Sequence, residues 1–341
     1  MREVPSDISE QATSSHSMPT SGRTANEPER TEAREVPVAR SQPPVFRHPE
    51  DRLPVALVCA LFGFDLFVYA TVDSWILLAL WTAVGAIIKA HVCAFNHHHQ
   101  HVATFYVGWL NRLLEIIYAL QTGITSHTWV LHHSVGHHMN YLDQKLDESS
   151  WQRKDGTTMG AAEYSLVIAA TAYPRAWRVS ARFPKFRRTF LWMGLLTFAI
   201  VAGLSWYRPA PALFVFVLPM IISLIVTSWA THSHHTDKPT TSHFVACNNI
   251  IHRGYNILTG NLGFHTAHHY RPGVHWSKLP ALHAEIAEKI PADCYLTPGF
   301  PWTLWQTSTA APGDEAVTEP EPEPATAASA LRAPVVFDAP S

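Results

Sequence analysis

The chain has 341 residues, enough for one large domain or two ordinary ones, and a formal net charge of -2. That balance, with no basic stripe interleaved with aromatics, excludes a dedicated nucleic-acid binder. The cysteines Cys59, Cys93, Cys247 and Cys294 are dispersed with no C-x-x-C pair, which excludes a disulfide framework and a thiolate metal site, and reduced, buried cysteines are expected.

The hydrophobic content of 47% is unevenly spread. Residues 1–45 are rich in Ser, Thr, Pro, Glu and Arg and hold no apolar run of the kind a signal peptide needs. Such a composition cannot bury enough surface to offset ordering entropy. A disordered tail is expected over residues 1–52 and another over 305–341, where Glu and Pro alternate from 319 to 324. The organised part is expected over 53–304.

In chain order, residues 53–69 are apolar apart from Asp65, and 74–95 form a second apolar segment after a short turn. Each is long enough to cross about 30 Å of hydrocarbon at about 1.5 Å per helical residue. Asp65 needs a partner or a polar face there. Residues 105–120 repeat Trp109, Leu110, Leu113, Leu114, Ile117 and Leu120 at spacings of three and four, interrupted by Asn111, Arg112 and Glu115. This predicts an amphipathic helix at the membrane interface, too polar to span. Residues 141–163 are polar, and a basic stretch follows: Arg175, Arg178, Arg182, Lys185, Arg187 and Arg188. Uncharged segments at 189–207 and 209–231 predict a second pair of spans, and a short helix is expected near 278–289. The basic stretch assigns its side to the cytoplasm. The expected fold is an all-α integral membrane protein, with four transmembrane helices in two hairpins and a cytoplasmic histidine-rich cap. Both termini are then cytoplasmic.

The histidines supply the chemistry. Of 22, fourteen fall in four short stretches: His97, His98, His99 and His101; His132, His133, His137 and His138; His232, His234 and His235; His265, His268 and His269. His97 and His101 are i and i+4, as are His133 and His137, with His138 alongside. His232 and His235 are i and i+3. His265, His268 and His269 share one helical face. Converged, they offer enough imidazole for two metal ions. Imidazole suits zinc, copper, iron and nickel alike, so ligand type alone does not choose the metal. A zinc hydrolase normally uses three protein ligands and an open position, fewer than these clusters provide. Two redox-active metals beside a membrane suit oxygen chemistry on lipid. His91, His127, His243, His252, His275 and His283 stand alone and are expected to be hydrogen-bonded or surface histidines. Asp143, Asp147, Asp237 and Asn261 are candidates to hold ligand imidazoles in one tautomer, with ordinary loop roles equally open for the first two.

The order H-x3-H, then H-x3-HH, then Asn261-x3-His265-x2-His268-His269, placed after the second and fourth spans, resembles the membrane fatty acid desaturase and hydroxylase superfamily over roughly residues 53–300. The resemblance implies a four-helix non-haem diiron enzyme using O2 and external electrons, with His97, His101, His133, His137, His138, His265, His268 and His269 on two iron ions. It adds His235 as a further ligand after the fourth span. The second box is one residue longer than the commoner H-x2-HH, leaving open which of His132 and His133 takes part. The surplus His98 and His99, with His232, remain additional candidates. The implied reaction is desaturation or hydroxylation of a fatty-acyl chain, with a carotenoid hydroxylase or ketolase of the same superfamily as the alternative. A histidine-rich membrane metal transporter is the reading from another class; it would place ligands within the spans, where Asp65 alone qualifies. The string His48-Pro49-Glu50-Asp51 lacks the glycines of the fused haem domain that some members carry, and no cysteine pattern for an iron–sulfur cluster exists. A separate electron donor, a ferredoxin or small cytochrome, is therefore expected, with an acyl thioester or lipid as substrate.

Overall fold

The computed structural model describes residues 44–297. Four helices are long and apolar enough to span a bilayer: α1 (Arg52–Thr71), α2 (Trp75–His101), α5 (Pro184–Tyr207) and α6 (Pro209–His235). Between the two pairs lie α3 (Gly108–Thr122) and α4 (Ala161–Ser180). After α6 come the short helices α7 (Arg253–Thr259), α8 (His265–Tyr270) and α9 (Leu279–Ile286). Among the described residues β pairing is limited to isolated bridges. The protein is an all-α, multi-span integral membrane protein. The long helices carry exposed Leu57, Phe64, Ile87, Leu195, Phe198 and Ile221, the outward apolar surface that hydrocarbon requires.

The α6 helix is central, packing on α2, α3 and α4. Its first turns include a wider π-helical stretch, Leu213–Val217. The carbonyls of that stretch are met by side chains from α2: Thr82 Oγ1 donates to Phe214 O at 2.6 Å, and Lys89 Nζ to Val215 O at 3.0 Å. Lys89 also pairs with Asp65 at 3.0 Å, with both side chains wholly buried, and Trp81 Nε1 donates to the same carboxylate oxygen at 3.0 Å. The carboxylate that was costly as a lone charge in α1 is thus neutralised by a lysine one helix away. Tyr69, Leu78, Leu120, Val215 and Phe216 close an apolar core beside this pair.

Three expectations are corrected. Residues 44–52, assigned to the N-terminal disordered tail, are ordered. Arg47 N donates to Thr104 O at 2.9 Å and Tyr106 N to Val45 O at 3.1 Å, while Phe46 packs on Phe105. The remainder of that tail and the whole of 305–341 lie outside the described residues. The α3 helix is not simply laid on the interface with its polar side toward water. Asn111, Glu115 and Gln121 are buried inward with Leu114, while Trp109 and Leu113 face out. Asn111 donates to Phe105 O and accepts from Phe105 N, and Arg112 holds the Glu115 carboxylate at 2.6 Å, so these two inward polar side chains are satisfied. Lastly, Cys59 is exposed on α1, whereas Cys93, Cys247 and Cys294 are buried free thiols.

Candidate metal centre

The C-terminal ends of α2 and α6 deliver the first and third histidine stretches, and two irregular segments bring the others to them. The second stretch lies on a π-helical turn, Val130–Val135, closed by Gly136 N to Leu131 O at 3.0 Å and followed by His138 N to His133 O at 2.8 Å. Bonds from i+5 to i make the turn one residue wider than an α-turn, a feature frequent at functional sites. That width absorbs the extra residue of H-x3-HH and brings His138 Nε2 within 2.9 Å of His133 Nε2. At Gly136 an added Cβ would stand 2.5 Å from His132 O and 2.8 Å from Glu148 Cγ, so this close approach requires glycine.

Before α8 the chain reverses through two left-handed residues, Gly260 (φ 61°) and Asn261 (φ 61°). Gly260 passes beneath the rings of His98 and Phe95, where a Cβ would meet both at 3.1 Å. The following helix places His265, His268 and His269 on one buried face.

Eight of the nine histidines named as metal ligands fall in two adjoining groups, and His137 lies against the second. His97, His101, His133, His138 and His268 form one. Its Nε2 atoms approach one another closely: His97 to His133 at 2.8 Å and His97 to His101 at 3.1 Å. His235, His265 and His269 belong to the second, with Cys247 also within reach. His235 Nε2 lies 3.0 Å from His265 Nε2 and 3.2 Å from His137 Nε2. Cys247 Sγ approaches His235 from behind, 3.9 Å from the Nδ1 that also meets Ala246 O at 3.2 Å. Burial pushes that thiol far above its ordinary range. His137 also turns its Nε2 to His235, beside this group. The groups touch through the stacked rings of His138 and His269, 4.0 Å apart.

This donor set fits metal. The buried Nε2 atoms of His268 and His269 have no hydrogen-bond partner, and those of His97, His101, His133, His137, His138, His235 and His265 face one another. Imidazole nitrogens so gathered, away from water, suit a shared cation. Burial first, and neighbouring imidazoles next, hold His133, His138, His265, His268 and His269 well below the ordinary histidine pKa. They are therefore neutral at pH 7, the ligating form. His137 is oriented from outside by Asp147, whose Oδ1 accepts from Nδ1 at 2.8 Å and from Ser149 N at 2.7 Å.

The remaining candidates fall outside both groups. His98 Nε2 meets Thr259 O at 3.0 Å, and His99 Nδ1 meets Thr104 Oγ1 at 2.9 Å with Glu115 nearby at 3.5 Å. His232 Nε2 meets Met159 O at 3.0 Å. His132 is buried on the π-turn and its Nε2 is unpartnered, but it joins neither group, whereas His133 belongs to the first. Asn261 and Asp237 touch no ligand imidazole. Asn261 Nδ2 donates to Trp276 O at 3.2 Å, and Asp237 accepts from Thr158 Oγ1 at 2.7 Å. Both occupy left-handed backbone positions, which Asn and Asp tolerate better than most residues, and that explains their presence. Asp143 caps a turn by accepting from Lys145 N. The isolated histidines are hydrogen-bonded, as with His91 on Ile87 O and His283 on the Tyr295 hydroxyl.

Sequence reasoning passed over three residues at this site. His234 stacks on His265 at 4.1 Å and is fixed by Asn248 O and the Tyr255 hydroxyl. Trp129 packs between His97 and His133, and Tyr141 against His269. His234 lies in the third stretch at the end of α6, where no role had been given to it, and no local spacing marks Trp129 or Tyr141.

A model of the family described as fatty acid desaturase matches residues 73–298, which contain every one of these histidines. No curated protein matches the chain.

Proposed function

From the premise that this chain belongs to the fatty acid desaturase family, we propose that it is a membrane-bound diiron oxidase. It would use O2 and external electrons to desaturate or hydroxylate a fatty-acyl chain. His97, His101, His133, His138 and His268 would hold one iron, and His137, His235, His265 and His269 the other. The observation that carries this reading is the set of buried Nε2 atoms turned toward one another in two adjoining groups. When bound, iron supplies O2 activation and removal of hydrogen from an unreactive C–H bond. The protein's own part is to hold the imidazoles neutral, to fix His137 through Asp147, and to keep bulk water from the cage.

The two pairs of long helices, α1 with α2 and α5 with α6, would form hairpins whose histidine-bearing ends face the cytoplasm. Arg182, Lys185 and Arg188 are exposed beside the start of α5, as the positive-inside rule favours. The substrate's head group would remain at that surface. The same basic face, with exposed Arg178, suits an acidic ferredoxin or small cytochrome. The transporter reading loses its one support, because Asp65 is committed to Lys89.

Gas chromatography of fatty acids from a host expressing the chain, with iron content measured on purified protein, tests the proposal. New unsaturated or oxygenated acyl products are expected, and alanine at His265 or His269 should abolish them while leaving membrane insertion intact. An unchanged acyl profile from iron-replete protein, or full activity in both variants, would refute it.

A further inference from the structure

Tyr141 is buried with its ring against the second histidine group, 4.4 Å from His269, 6.0 Å from His137 and 6.2 Å from His235 between centroids. Its hydroxyl points to a different partner, donating to His243 Nδ1 at 2.5 Å, the short end of the hydrogen-bond range. His243 is a partly exposed residue of the loop after α6 and belongs to neither group. One residue therefore touches the cage with its π system and a base near the surface with its proton.

We propose that Tyr141 and His243 form a proton-coupled redox outlet for the cage. This rests on the diiron reading above. The Tyr141 ring gives one electron to the centre that O2 has oxidised, and its phenolic proton passes to His243 Nδ1. The products are a neutral phenoxyl radical and an imidazolium. One electron from the external donor protein and return of the proton from His243 restore the phenol. Such an outlet discharges oxidising equivalents when no C–H bond is in place, before they damage the imidazoles.

The coupling to His243 makes the step possible. A phenol oxidised without losing its proton becomes a cation, and isolated charge in an apolar interior is costly. A neutral base already hydrogen-bonded to the hydroxyl removes that cost. Burial lowers the His243 pKa, so its Nδ1 is free to accept near neutral pH. Trp129 makes the contrast. It presses on His97 at 5.4 Å and His133 at 5.6 Å, but its buried Nε1 has no acceptor, so it has nowhere to send a proton.

The full chain in lipid nanodiscs, loaded with ferrous iron, is mixed with O2 without added substrate and freeze-quenched for electron paramagnetic resonance. A tyrosyl signal that changes its hyperfine pattern with ring-deuterated tyrosine is expected. Tyr141→Phe should lose it, Trp129→Phe should keep it, and His243→Ala should lower its yield until free imidazole is added. Iron content of each sample and the acyl profile of its host membranes are recorded in parallel. A wild type with iron and lipid products but no tyrosyl signal overturns the outlet and leaves the oxidase reading standing, as does an undiminished signal in Tyr141→Phe. A chain that holds no iron overturns both.

Discussion

Among the described residues, Asp147 is the carboxylate hydrogen-bonded to one of the nine proposed ligands, and replacing it separates a metal centre from a mere histidine cluster. Its Oδ1 accepts from His137 Nδ1 at 2.8 Å and from Ser149 N at 2.7 Å, with the two side chains 2% and 0% exposed. Water therefore cannot take its place. Asparagine keeps a neutral acceptor of the same shape but loses the charge that fixes the tautomer and strengthens the ligand. Alanine also strands two buried N–H donors. Partners of this kind are worth about 10–100-fold in metal affinity. Asp147→Asn is expected at the lower end, about 1.4 kcal/mol, and Asp147→Ala at the upper end, about 2.7 kcal/mol. His137 faces His235 in the four-histidine group, so the loss should fall on one iron of the two. Titration of the iron-loaded protein with a chelator, followed by metal analysis, should release that iron first and leave the five-histidine group loaded. A folded Asp147→Ala protein that holds both irons as tightly as the wild type would refute the assignment of His137.

Lys89→Met leaves Asp65 charged and unpaired in the apolar interior and should destabilise the protein by about 3–5 kcal/mol; adding Asp65→Leu should restore most of it in unfolding assays, and a single variant as stable as wild type would contradict the pairing. In iron-free protein, His133, His138, His265, His268 and His269 resist protonation while the unfolded chain takes up protons near the ordinary value of 6.5. Stability is thus fully present above that pH and falls as acidification proceeds below it; melting temperatures at about pH 7.5 and about pH 5.5 check this, and equal values would refute it. Reversing Arg178 and Arg182 to glutamate should weaken donor-dependent turnover at low salt without altering insertion, whereas an unchanged dependence on donor concentration would make the basic face purely topological.

The histidine clusters were legible because their spacing is local: one or two helical turns carry each, and a reader needs no tertiary information to see a shared face. The four long helices were legible for the same reason. What escaped depends on contacts between distant segments. Asp65 signalled a missing partner, and Lys89 was visible as a lone cation in the next span, but only packing joins them. The wide turn at Val130–Val135 decides between His132 and His133, and hydrogen bonding rather than composition makes it π-helical. The α4 helix was missed although Tyr164, Ile168, Ala172, Ala176 and Val179 recur at helical spacing on its buried face, since Pro174 and flanking charges obscured the period. Asn261 was read as an orienting group when its task is a left-handed turn, and the distinction lies in φ, which side-chain type only hints at.

Two dipeptides have a consequence for how the centre can move. His137 and His138 are neighbours in sequence yet face different groups, and so are His268 and His269. Consecutive Cα atoms are about 3.8 Å apart across a trans peptide. The gap between the proposed iron positions is therefore gauged twice by covalent backbone, from opposite segments of the chain. Neither position can slide away from the other unless a helix end unwinds. A centre so held would act as a fixed-gap vice, and adaptation to substrate would come from the chain that enters rather than from the jaws.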